Sequence, residues 1–132
     1  MKSISIKHLD YTENAELMFA LIKSSPNSVW LDSSRPMSVQ GRYDLMSCDP
    51  IKIIETYGNE TFIEQNGKRS LPTSEDPFNI VEKSLNELGN IDHKYKDVIF
   101  TGGLMGFFGY DLGRRLIPVS YTHLTLPTKL SV

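Results

Sequence analysis

The amino-acid sequence predicts an α+β fold with a mainly antiparallel β-sheet and two principal helices, and three observations carry that expectation. Strand-like runs follow one another from Arg42 to Gln65, separated by the turn signals Gly58-Asn59 and Asn66-Gly67. The segment from Asp76 to Gly89 has the punctuation of a helix at both ends. Strands and helices do not alternate regularly, so nothing suggests the successive crossovers of a parallel sheet.

Taken in order, Ser3 to Leu9 alternates weakly and reads as a short edge strand. Asp10 then caps a first helix, with Glu13 three residues on as in a capping box. Ala15, Met18, Phe19 and Ile22 fall at helical spacing and put one face of that helix on a core. Pro26 ends it, and Val29-Trp30-Leu31 begins a strand. Arg35 to Gly41 has no period and contains Pro36, so it reads as a loop leading to a strand at Arg42 to Cys48. Pro50 interrupts pairing, Ile51 to Thr56 and Glu60 to Gln65 form a hairpin, and Asn66-Gly67 is the strongest short hairpin signal in the chain.

Ser70 to Asp76 is a polar loop that delivers Asp76 as N-cap and Pro77 at the first helical position. The second helix is expected to turn Phe78, Val81, Leu85 and Leu88 inward, and Gly89 to close it. A charged connector, Asn90 to Asp97, leads into Val98-Ile99-Phe100 and then a stretch rich in glycine and aromatic residues, Gly102 to Tyr110. Glycine lets backbones approach closely and Phe107, Phe108 and Tyr110 supply apolar area, so a packed core strand is expected there. Asp111 to Arg115 reads as a polar exit with a helical turn.

Composition excludes several function classes. Lys and Arg number 14 against 16 Asp and Glu, a formal net charge of −2, which provides no basic field for nucleic acid. The single Cys48 cannot form an internal disulfide, and the apolar runs fall far short of the ~20 residues a membrane span needs. A length of 132 residues suits one domain, and these features together suggest a cytoplasmic setting without membrane or nucleic-acid partners. His8, His93 and His123 stand alone, with no metal-ligand spacing around them. Ser33 and Ser34 lack a nucleophile elbow, and Gly103-x-x-Gly106-x-x-Gly109 matches neither a phosphate loop nor a dinucleotide fingerprint. The residues by themselves make no convincing active site.

Two blocks carry a family resemblance. The first is Gly102-Gly103-Leu104-Met105-Gly106-Phe107-Phe108-Gly109-Tyr110-Asp111-Leu112-Gly113-Arg114-Arg115-Leu116. The second is Trp30-Leu31-Asp32-Ser33-Ser34 followed by Gly41-Arg42-Tyr43-Asp44-Leu45-Met46-Ser47-Cys48-Asp49-Pro50. In this order they resemble the N-terminal domain of the chorismate-utilising enzymes, in the aminodeoxychorismate synthase component I group, with the anthranilate synthase component I group as near relative. Asp111-Leu112-Gly113-Arg114-Arg115, Arg42-Tyr43-Asp44 and Asp49-Pro50 favour the aminodeoxychorismate side.

The resemblance implies a truncated, non-catalytic N-terminal domain over residues 1–117. In such enzymes chorismate, Mg²⁺ and the catalytic residues belong to a C-terminal domain, which replaces the 4-hydroxyl of chorismate with ammonia from a glutamine amidotransferase subunit. That reaction serves p-aminobenzoate and folate synthesis. No catalytic residue or metal ligand is therefore carried onto this chain, and Mg²⁺ is expected only of the full-length enzyme. The alternatives are an anthranilate synthase component I fragment and a free-standing small-molecule-binding domain.

The family's N-terminal domain also holds a tryptophan site. By position the match falls on Ser33, Gln40, Gly41, Arg42 and Tyr43. Asp32 stands where the anthranilate group has glutamate, which keeps the serine but shortens the carboxylate beside it. A structural reading remains open, in which Ser33 and Gly41 flank a loop, Tyr43 is a core aromatic and Arg42 pairs with Asp44 or another carboxylate.

The resemblance stops at Leu116. Residues 118–132 resemble the translated adapter sequence that ends some fragments assembled from environmental DNA, and they are set aside from the fold as a non-native tail whose removal should leave stability nearly unchanged. A native edge strand at Tyr121 to Thr125 is the other reading.

Overall fold

The structure, a computed structural model, describes residues 5–33, 43–89, 95, 97–115 and 128–131. Its elements are α1 (Ala15–Ala20), β1 (Val29–Leu31), β2 (Leu45–Ser47), β3 (Lys52–Tyr57), β4 (Glu60–Gln65), β5 (Lys68–Arg69), α2 (Pro77–Leu88), β6 (Met105–Phe107), a 3₁₀ segment (Tyr110–Arg115) and β7 (Thr128–Ser131). All strand pairs are antiparallel, in a two-stranded sheet β1-β2 and a five-stranded sheet β5-β4-β3-β7-β6. The fold is α+β, as the sequence predicts. The chain divides into two compact units, residues 1–50 with 91–101 and residues 51–90 with 102–132.

In the first unit, residues 5–9 form no strand, and α1 starts later than Asp10. Asn14 is the cap: its Oδ1 accepts from the Leu17 N–H at 3.2 Å, and its own N–H donates to Thr12 Oγ1. An Asn side chain satisfies the first turn as well as Asp10 could, and local bonding at Thr12 draws the start to that position. The inward face is the expected one, since Ala15, Met18, Phe19 and Ile22 are half-buried between exposed neighbours. Phe19 packs on Trp30 of β1 with ring centroids 5.5 Å apart. The β1-β2 ladder is tied at one end by Asp49, whose N–H donates to Pro26 O at 3.0 Å. Asn27 and Asp49 both take positive φ there, a conformation their short polar side chains tolerate.

The second unit is built on β3 and β4. Their hairpin registers Ile54 with Ile63 and Thr56 with Thr61. Asn66 and Gly67 both have positive φ, the requirement of the tight turn that returns the chain as β5. Thr61 is fully buried, shares a 3.0 Å hydroxyl contact with Thr56, and exchanges backbone hydrogen bonds with Thr73. At the edge, the Arg69 guanidinium donates to Glu55 at 2.7 Å and lies 4.5 Å from the centre of the Phe62 ring.

Helix α2 has the predicted ends: Asp76 Oδ1 accepts from the Phe78 N–H at 2.9 Å, Pro77 opens it, and Gly89 closes it at φ 77°. Its inward face agrees with the expected one in part, since Val81 packs on the core and Leu88 is half-buried. Pro77, Ile80 and Ser84 are buried, whereas Phe78 and Leu85 are exposed. The cause lies on β3. Lys52, only 8% exposed, donates from Nζ to Ser84 Oγ at 3.3 Å and to Glu87, so a serine and not a leucine must face the sheet. Ile54 and Ile80 form the centre of the core, with Ile63, Val81 and Leu104 packed against them.

The glycine-aromatic stretch is a short strand and not a buried one. Met105 is buried, but Phe107 and Phe108 are more than half exposed and Tyr110 is 91% exposed. Gly102 and Gly103, at φ 138° and 145°, take backbone conformations that only glycine adopts readily, and they set the entry to β6. Phe108 stacks on Phe78 instead of entering the core. The expected helical turn is present as the 3₁₀ segment.

Residues 128–131, set aside by the sequence reading, pair as β7 with β3 at four positions and with β6 at three. They are an inner strand, and the edge strand considered at Tyr121 to Thr125 falls outside the described residues. Ile54→Ala should lower unfolding free energy by about 2–5 kcal/mol in urea titration, the range for truncating a buried isoleucine. A loss below about 0.5 kcal/mol, typical of surface sites, would show that Ile54 is not the core centre.

Candidate functional site

The open end of the β1-β2 ladder brings together the described part of the candidate site. The register pairs Leu31 with Leu45, and Ser33 and Tyr43 each lie two residues beyond that last pair. Between them the chain runs through residues 34–42, so Gln40, Gly41 and Arg42 lie outside the described residues. Ser33 is half-buried just past β1. Tyr43 is 53% exposed, so it is not the core aromatic of the structural alternative.

Asp44, which the sequence places in the second family block and offers as a partner for Arg42, organises this corner. Its Oδ1 accepts from the Ser33 N–H and from the Ser33 hydroxyl, each at 3.1 Å. The backbone N–H is the main reason the Asp44 carboxyl is held below its ordinary value, with slight burial acting in the other direction and the Ser33 hydroxyl adding to the lowering. The Trp30 indole N–H contributes a weaker pull from outside hydrogen-bond geometry, since Trp30 Nε1 is buried without a hydrogen-bond partner among the described residues. The signal that could have found Asp44 was its place directly before the strand that pairs with the one leading to Ser33.

Chemically, the corner favours a cation. The Ser33 hydroxyl donates a hydrogen bond to Asp44 and keeps its own acceptor lone pairs free to face outward, and the lowered carboxyl favours the charged form. Among the described residues, the hydrogen-bond partner of the Ser33 hydroxyl is Asp44 and not a histidine. Among the described residues no three His, Cys, Asp or Glu side chains are grouped to hold a metal ion. No described helix is long and apolar enough to cross a membrane. Cys48 is a half-buried free thiol, His8 is exposed, and His93 and His123 lie outside the described residues.

Comparison with curated proteins finds similarity to one named enzyme component, shared by three bacterial relatives. Over 101 residues the chain is related to aminodeoxychorismate synthase component 1. It is 33% identical to that protein of Escherichia coli (strain K12), covering 76% of this chain and 22% of the relative. The proteins of the same name from Salmonella typhimurium and Klebsiella aerogenes are 32% and 30% identical over the same shares. The chain thus spans about a fifth of the length of the curated relatives it matches. No family model matches it.

Asp44→Ala should lower the melting temperature at about pH 7, because Ser33 loses the acceptor for two hydrogen bonds. The sign with pH follows from the lowered carboxyl. Its stabilisation is present above the value an unfolded aspartate has and is lost as pH falls through the folded value, so the gap between wild type and variant should narrow as pH is lowered from neutral into the acid range. An equal gap across that range would show that the Asp44 charge is not what Ser33 engages.

Proposed function

We propose that this chain is the N-terminal, non-catalytic part of an aminodeoxychorismate synthase component I. The observation that carries the reading is the 33% identity over 101 residues to the Escherichia coli protein of that name. The names of all three relatives favour this group over the anthranilate one. The parent enzyme would act in the cytoplasm, converting chorismate and ammonia into 4-amino-4-deoxychorismate for p-aminobenzoate and folate synthesis. A glutamine amidotransferase subunit would supply the ammonia. Mg²⁺ would serve that parent, and no ligand for it is assigned to this chain.

The role proposed for the chain itself is to hold L-tryptophan at Ser33, Gln40, Gly41, Arg42 and Tyr43. An amino acid entering an apolar slot brings an ammonium and a carboxylate, and each must find a partner or costs about 1–3 kcal/mol. The Ser33-Asp44 corner supports the ammonium end of this reading, since it offers a charged acceptor and a hydroxyl whose own proton is committed. Arg42 would meet the carboxylate, Tyr43 would flank the indole, and Gly41 would allow main chain to approach the ligand.

One purified sample tests both halves of the proposal. With chorismate, ammonia and Mg²⁺ it should form no product above a protein-free control, and millimolar L-tryptophan should raise its melting temperature. Gly41→Val should remove that rise while leaving the unliganded melt nearly unchanged. Turnover would overturn the non-catalytic assignment, and a well-folded sample without a tryptophan shift would overturn the site.

A further inference from the structure

Among the described residues, the sheet order makes β7 the link between β6 and the rest of the five strands, because β3 and β6 each pair with β7 and not with each other. Neighbouring strands lie about 4.8 Å apart, so β3 and β6 face one another across about twice that distance, the width of one strand. Both present main-chain donors and acceptors into this gap. Pairing of this kind reads backbone shape and direction more than side-chain identity.

Two further features bear on what can fill the position. The occupant, residues 128–131, lies outside both blocks that carry the family resemblance, which stop at Leu116. Position 130 is in register with Ile54 on one side and with Gly106 on the other, so one flank of the gap has no side chain at that level. Pro127 directly precedes the paired stretch and has no N–H to add to it.

We propose that the gap between β3 and β6 is a strand-accepting site whose ligand is an extended peptide. The peptide runs antiparallel to both neighbours, is at least four residues long, and has no proline at the paired positions. In the present chain residues 128–131 occupy the site in cis, and a peptide of that sequence supplied in trans binds it when the covalent strand is disabled.

The test uses the full chain carrying Leu130→Pro, which removes a backbone donor from the middle of β7, and a labelled synthetic peptide of residues 125–132. Fluorescence anisotropy should show the peptide binding the variant, with a rise of several degrees in its melting temperature. The same peptide with proline in place of Leu130 should do neither. Wild-type chain should bind the peptide at least tenfold more weakly, because its tethered strand competes at an effective concentration of millimolar order. If the variant does not fold by itself, refolding with the peptide should restore its far-UV circular dichroism. No binding to a folded variant, no rescue of an unfolded one, or equal binding of the proline-bearing peptide would each overturn the site.

Discussion

The ammonium of Lys52 decides how the second unit is assembled. A charge on an inner strand, buried beneath a helix, must find partners or move the helix away. Ser84 and Glu87 meet it from α2, three residues apart and so on one side of the helix. Once they do, the rotation of α2 about its axis is set. Ile80, one turn before Ser84, then falls on Ile54, and the core grows around that contact with Ile63, Val81 and Leu104. Phe78 and Leu85 are carried outward by the same rotation.

This explains what could and could not be read from the sequence. The β3-β4 hairpin and its return were legible because Asn66 and Gly67 are there for their backbone conformation, which is a local property. The ends of α2 were legible for the same reason, through Asp76, Pro77 and Gly89. Its inward face was legible only in part, since hydrophobic spacing favours the Phe78-Leu85 side and only the partner strand reveals a lysine that needs a serine. The aromatic residues after Gly106 misled in a related way. Their area suggested a core, whereas Phe108 finds Phe78 on the exposed side of the helix.

The candidate site shows the same division. Ser33 and Tyr43 were found by the family blocks, and both lie just beyond the open end of the β1-β2 ladder. Asp44, which holds Ser33 by two hydrogen bonds, lies in the second family block, but its role at the site becomes visible only in the structure. In both units, then, a polar side chain with a fixed partner sets the geometry: Asp44 at the mouth of the small ladder and Lys52 beneath α2. The apolar contacts of each unit pack within limits that these polar pairs impose.

A double-mutant cycle on Lys52 and Ser84, read as urea unfolding free energies of Lys52→Met, Ser84→Ala and the double variant, tests the anchoring of α2 most directly. Contacting residues that share a buried bond should couple by about 0.5–3 kcal/mol, with the double variant less destabilised than the sum of the singles. Additivity to within about 0.3 kcal/mol would contradict the account, because it would mean that α2 takes its orientation from apolar packing alone.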